Sequence, residues 1–454
     1  MSLSLKKESI YLNVLLFSLT ILFTGIINLY SVIPLIYFFI FFSAFIFFLD
    51  SREKNDFVRA FIVNAFFTSI YICMQSFVYP TTYGVTSSLG AWTDDSFFFS
   101  LLAEKLPVDM YIDRENYYLY TSFFTDIIKF ISPFKIYYPL DAVYFQSGVA
   151  AILAVYTKQL TIQVTDDVKV GKIAFLLCLI CPFLLMHGGA ILIRDTFVAS
   201  LFVLSICFIN RGRFLPALIA ILIQFPLRSG TALIYFCLYL IIYFKDIKAF
   251  LFKKQNLPYF VVIIAVLVTC LYFARSLIIE EVTALLIEKG ITASGREVYD
   301  NLTEGEGNAI FLFIQNQNFF VKGILSSLYV FLYPFFTISG LTNAEGIDPR
   351  AFLLNIVYPF YLFWLNAWFF SVLFQKISKF RQQYLWLAVF IIGFLLVGIF
   401  SLQTRHKTIM MPLYYMIVAI GFSYSTKKYR VFGYVLSTIW LLVQIGLSLR
   451  FLIS

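Results

Sequence analysis

Long apolar stretches broken by brief polar punctuation run through this chain. About 20 consecutive apolar residues let an α-helix cross the hydrocarbon core of a bilayer. The pattern predicts helices near 11–29, 33–49, 59–78, 140–157, 172–189, 193–209, 214–227, 230–244, 258–278, 351–374, 384–402, 408–425 and 431–449. Two long segments separate them, about 79–139 and about 279–350, and every other connection is short. Within the first segment, Phe97–Leu106 and Tyr117–Phe130 carry apolar residues at helical spacing. The stretch from Phe319 to Ser339 is apolar enough for a further crossing, but its flanks argue for an interfacial or re-entrant pair of half-helices broken at Gly323 and Pro334. The expected fold class is therefore all-α: a polytopic integral membrane protein of about 13 transmembrane helices, with residues 1–454 as one membrane domain.

The polar punctuation sets the orientation. Lysines and arginines cluster at Lys6-Lys7, Arg52/Lys54/Arg59, Lys158/Lys169/Lys172, Arg211/Arg213, Lys245/Lys248/Lys253/Lys254, Lys376/Lys379/Arg381 and Lys427/Lys428/Arg430. Short loops rich in Lys and Arg stay on the cytoplasmic side. This places the amino terminus inside and both long segments outside. A crossing at 319–339 would put Lys376, Lys379 and Arg381 outside as well, which is why that stretch is read as non-crossing.

Composition sharpens the class. The chain is 61% hydrophobic with a mean hydropathy of +0.86, outside the range of soluble domains. Its net charge of +9 follows from the inner-loop bias and does not call for a nucleic-acid partner. All six cysteines fall in apolar segments. Cys178 and Cys181 share a helical face, but further ligands for a metal site are absent from their surroundings in the sequence, so they read as packing residues and no metal or cofactor is expected.

Candidate chemistry lies on the outer side. Asp94-Asp95 precedes the aromatic run Phe97-Phe98-Phe99 and suits a general base facing a hydroxyl. Asp95 equally suits N-capping of a helix from Ser96, and both roles are open. Arg194-Asp195 sits between two apolar segments with almost no loop, Arg228 closes the next outward helix, and Arg405-His406-Lys407 fills another minimal outward turn. Arginine offers a planar fork of donors matched to phosphate, and His406 can move a proton near neutral pH. The plainer alternatives are an Arg194 paired with its own Asp195 and headgroup anchoring of helix ends. The second long segment adds Arg296 among glycines that suit a mobile cover.

Ile193-Arg194-Asp195-Thr196-Phe197, then Arg211-Gly212-Arg213-Phe214, then Arg228-Ser229-Gly230-Thr231-Ala232-Leu233-Ile234 resemble bacterial polysaccharide repeat-unit polymerases, the Wzy-type O-antigen and capsule family. Many members carry His where Arg228 stands. The turn Arg405-His406-Lys407 with Pro412 is similar to a late arginine turn in these polymerases and in glycosyltransferases of the GT-C class, and Arg296 with Gly307 reproduces a spacing found in some of them. The resemblance implies a GT-C-like plan in the bacterial cytoplasmic membrane. It implies substrates that are undecaprenyl-pyrophosphate-linked oligosaccharides, membrane lipids as surroundings, and a chain-length regulator as a partner. It also implies lipid-pyrophosphate binding at Arg194, Arg228, Arg405 and Lys407, loop contacts from Arg296, and catalysis by Asp94, Asp95 and His406. Two other readings stand beside it. One is a GT-C glycosyltransferase that adds one sugar from a polyprenyl-phosphate donor with Asp94 or Asp95 as base; the other is a flippase for lipid-linked oligosaccharide.

Overall fold

The structure is a computed structural model and describes residues 2–78, 130, 139–190, 194–246, 317, 319–332, 342–343, 346–347, 352–400 and 404–453. The described residues are almost wholly helical, with one antiparallel pair of two-residue strands, Thr342–Asn343 and Gly346–Ile347. In chain order the helices are α1 (Ser2–Ile27), α2 (Val32–Asp50), α3 (Lys54–Val78), α4 (Pro139–Thr165), α5 (Val168–Ile180), α6 (Pro182–Ala190), α7 (Arg194–Ile209), α8 (Phe214–Leu227), α9 (Ser229–Ile242) and α10 (Phe319–Leu332). There follow α11 (Tyr358–Phe374), α12 (Gln383–Phe400), α13 (Met411–Tyr424) and α14 (Lys427–Ile453). Among the described residues, five helical stretches are long and apolar enough to cross a membrane, or six if α5 and α6 form one bent span. The described residues have the helical character expected from the sequence, and several of these helices could span a membrane, consistent with a multi-pass protein. The expected helix at 258–278 and both long outer segments lie largely outside the described residues.

Two compact units divide the chain: Met1–Ser229 with Pro334–Gln383 and Thr408–Ser454, and Gly230–Tyr333 with Tyr384–Lys407. In the first unit α4 is the central post and packs against α2, α3, α5, α7 and α13. It is among the least apolar of the spanning candidates and yet 94% of its crossing window is buried. Its polar residues Gln146, Ser147, Thr157, Lys158, Gln159 and Thr161 all lie inside the protein: Ser147, Lys158 and Gln159 find partners outside α4, and Thr157 and Thr161 donate to carbonyls of their own helix. The helix continues to Thr165, past the boundary expected at 157.

Six of the seven basic clusters gather at one end of this unit. Lys158 donates to Glu53 Oε2 at 2.7 Å and to Asp56 Oδ2 at 2.6 Å. Gln159 bonds the other oxygen of Glu53, and its own carbonyl accepts from Arg211 at 2.5 Å while Arg211 pairs with Asp50. Arg381 pairs with Asp166, and Lys379 lies over the ring of Tyr424, 5.4 Å from its centroid. Arg430 donates to the carbonyl of Ser425 at the α13–α14 turn. The start of α1, with Lys6 and Lys7, belongs to this end too, because the far end of α1 carries Thr24 against Tyr144 and Ser69. Tyr424 donates to Asp167 at 2.6 Å, and this bond, with the backbone N–H of Lys169, holds the Asp167 carboxyl below its ordinary range. The described helices of this unit therefore alternate between a basic end and an opposite end. The Lys376–Arg381 loop lands at the basic end of this unit.

The second unit includes α10 against α12. Gly398 is in contact with Ser327, and Phe331 meets Phe394 edge-on at 5.5 Å. α10 is continuous through Gly323, so the expected break at that residue is corrected: Gly323 is buried and faces inward with Ser326, Ser327 and Val330, where a missing side chain favours close packing. Its 14 residues span about 21 Å, short of the roughly 30 Å hydrocarbon core.

Candidate functional site

The opposite end of the first unit is built around a bend. The residue before a proline is pushed out of the α region, and Cys181, which precedes Pro182, is extended at φ −70°, ψ 117°. The continuous helix expected over 172–189 is therefore two pieces, α5 and α6, bent by 56°. Cys181 does more than fill space at this break: its sulfur accepts from the backbone N–H of Leu184 and from the hydroxyl of Tyr415 at 2.5 Å. Beyond Leu184 the chain winds as a wide π-type turn through Leu185–Ala190. Gly189 lets that turn approach α3 closely, and Gly188 leaves room for ordinary contact only. A Cβ on Gly189 would stand 3.3 Å from Asn64 Oδ1, and one on Gly188 would stand 3.6 Å from Thr196. A cavity of about 10 Å³, the scale of one water molecule, is lined by Asn64, Cys178, Gly188 and Thr196 with apolar neighbours.

α7 begins directly after this bend, with Arg194, Asp195 and Thr196 all buried in its first turn. α7 returns to the basic end, turns through Arg211-Gly212-Arg213 with Gly212 at φ +72°, and α8 runs back alongside it. The turn is closed by the N–H of Arg213 on the carbonyl of Phe208, a helix stop that a left-handed glycine provides. This hairpin brings the start of α7 to the end of α8. Arg194 donates through Nη1 to the carbonyl of Leu227 at 3.0 Å, so a cation caps the partly negative carboxyl end of α8. Arg228, at the C-cap of α8, forms an ion pair with Asp195. The carboxylate in turn sits in the first turn of α7, where the helix dipole favours negative charge. Two helix ends are stapled reciprocally by two arginines and one acid. The Asp195 side chain is fully buried, whereas Arg228 keeps 18% of its side chain exposed at the edge of the cluster.

Of the residues singled out from the sequence, Arg194 and Arg228 thus come together, 34 positions apart in the chain but adjacent in the hairpin. Asp195 joins them with a different partner from the one considered: its ion pair is to Arg228, not to Arg194. In the second unit, His406 and Lys407 lie in the 3-10 turn Thr404–Ile409 and are both buried. The Lys407 ammonium donates to the carbonyl of Phe331 at 2.8 Å and lies 5.6 Å from the centroid of that ring. It caps the end of α10, a role that the sequence alone gave no sign of. The backbone of Arg405 belongs to the same turn, while its side chain, together with Asp94, Asp95 and Arg296, lies outside the described residues.

No protein-family model, curated protein or solved structure matches this chain.

Proposed function

We propose that this protein is a polysaccharide repeat-unit polymerase of the outer leaflet, with about 13 crossings on a GT-C-like plan and its basic end in the cytoplasm. The observation that supports this reading is the cluster of Arg194, Asp195 and Arg228 at the end of the bundle opposite the basic clusters. Two guanidiniums and a carboxylate stand together in a poorly hydrated place, and an arginine fork suits a phosphate. In the proposed reaction a hydroxyl oxygen at the non-reducing end of a new lipid-linked repeat unit attacks the anomeric carbon of the growing chain. The bond from that carbon to undecaprenyl pyrophosphate breaks, and the electron pair leaves on the pyrophosphate, held by Arg194 and Arg228. The hydroxyl proton passes to Asp94, Asp95 or His406 as general base. The resemblance adds Arg405 and Lys407 as further lipid-pyrophosphate-binding residues and Arg296 as a contact from the second long outer segment, and a chain-length regulator is the proposed partner. Metal and nucleotide sugar have no part in this scheme.

The test is the size ladder of surface polysaccharide from a strain lacking the gene, complemented with the wild-type chain, Arg194→Ala, Arg228→Ala or Arg405→Ala. The expected null phenotype is a single repeat unit on its lipid anchor, with no higher rungs restored by the arginine variants. A complete ladder whose rungs shift in mass would point to single-sugar addition instead. Loss of the first rung as well would point to a flippase and overturn the proposal.

A further inference from the structure

Arg228 stands just beyond the last turn of α8 with an extended backbone, φ −164° and ψ 92°, so the helix does not fix its side chain. It is held from α7 instead, at two points. Arg194 donates to the carbonyl of Leu227, the residue before it, and Asp195 pairs with its guanidinium. Consecutive residues of one helical turn thus hold the backbone and the side chain of the same arginine. Exposure orders the three: Asp195 is fully buried, Arg194 is 5% exposed, and the Arg228 side chain is 18% exposed. The carboxylate stands behind the guanidinium, and an anion arriving from outside meets Arg228 first.

A pair built for stability alone would engage both carboxylate oxygens, because a buried charge repays its desolvation only when its lone pairs are satisfied. Asp195 Oδ2 is instead buried with no hydrogen-bond partner among the described residues. Apolar side chains in place of such a pair are often neutral or stabilising, so the fold alone does not account for it. We infer that Asp195 is a positioning residue, which fixes the Arg228 guanidinium in the orientation that receives a pyrophosphate. The inference rests on the function proposed above and adds to it a residue that touches no substrate. An arginine that closes on a ligand gives up rotamer freedom, and one already held gives up less. The carboxylate also offsets part of the positive charge that attracts the ligand. Its pair runs through Nη1, one corner of a group with several N–H donors, so holding outweighs that attenuation.

Binding of farnesyl pyrophosphate to the full chain in detergent, read by native mass spectrometry, tests this through a double-mutant cycle. Asp195→Asn, close in shape but uncharged, is expected to weaken binding about tenfold, and Arg228→Gln by at least as much. The double variant should bind no more weakly than Arg228→Gln alone, because Asp195 acts only through that arginine. Asp195→Glu, which restores the carboxylate, should recover part of the lost affinity, and it carries the test if Asp195→Asn lowers the unfolding midpoint. An equal loss from Asp195→Asn in the wild-type and Arg228→Gln backgrounds would mean that Asp195 serves the fold alone. Tighter binding by Asp195→Asn would make the carboxylate a competitor of the phosphate, and a folded Asp195→Glu without recovery would remove its charge from the account. Each of these three results overturns the positioning role and leaves the polymerase reading standing. If the wild type does not bind farnesyl pyrophosphate, or Arg228→Gln binds it as well as the wild type, the proposed anion site falls and the positioning role with it.

Discussion

At the scale of single residues, the charged side chains of the first unit differ sharply in how much they hold. Lys158 is buried, with an ammonium shared between Glu53 and Asp56, and removing one partner from a buried pair strands the other charge at a cost of about 3–5 kcal/mol. Arg381 and Asp166 form a pair whose side chains are 64% and 61% exposed, and exposed pairs contribute roughly 0–1 kcal/mol. Lys158→Met should therefore lower the thermal unfolding midpoint in detergent far more than Arg381→Ala, followed by tryptophan fluorescence. Equal shifts would mean that Lys158 is hydrated and its network adds little. The sequence placed both residues in inner basic clusters and gave no sign of this difference. The partners of Lys158 lie more than 100 positions away, and nothing local to Lys158 encodes them. The same holds at the other end of the bundle. Arg194 and Arg228 were legible because an arginine between two apolar stretches is conspicuous. The choice of Asp195 as the partner of Arg228 depends on the hairpin that brings α8 back along α7, which the sequence presents only as two helices and a turn.

At the scale of elements, apolar runs gave most helix positions because a crossing helix leaves a long, uninterrupted signature. The misses fall where packing overrides that signature. α4 runs on to Thr165 through threonines that donate to carbonyls of their own helix and through Lys158, Gln159 and Gln163, which bond residues outside it, and α5–α6 breaks at Cys181-Pro182 within a run that still reads as apolar. Glycines mark the closest packing. α13 and α14 both press on α11 at consecutive residues: a Cβ on Gly421 would strike the carbonyl oxygen of Trp368, and one on Gly433 the carbonyl oxygen of Ala367. Those obstacles are backbone atoms of a helix and cannot rotate aside, unlike the flexible end of a side chain. Gly446, further along the same α14, has open space where its Cβ would lie. Gly433→Ala should thus separate α14 from α11 and lower both the yield and the unfolding midpoint of the purified protein. Gly446→Ala should leave both unchanged or slightly raised, since alanine is the better helix former. A pair of variants with indistinguishable stability would show that α14 is not seated on α11 as described.

At the scale of the whole molecule, the gathering of basic clusters at one end of the first unit turns a statistical rule into a geometric statement. The positive-inside rule acts loop by loop along the sequence, and nothing in it obliges loops that are distant in the chain to meet. Here the loops around 52–59, 158–172, 211–213, 376–381 and 427–430 share one end and are tied together by ion pairs and hydrogen bonds, with acids drawn from α2, α3 and the α4–α5 turn. The turn Leu29–Ser31 between α1 and α2 lies at the other end, as does the start of α7. If the basic end is cytoplasmic, a cysteine at exposed Lys376 should react with a membrane-impermeant maleimide only after the cells are permeabilised. A cysteine at Leu29, 72% exposed in the opposite turn, should react in intact cells, with the unmodified chain as control for the native thiols. The reverse pattern would place the Arg194–Asp195–Arg228 cluster in the cytoplasm. There it would face cytoplasmic rather than outer-leaflet lipid-linked sugars, and a polymerase of the outer leaflet could not use it. Labelling at both positions in intact cells would instead show that this end-to-end alternation of helices does not correspond to crossings of the membrane.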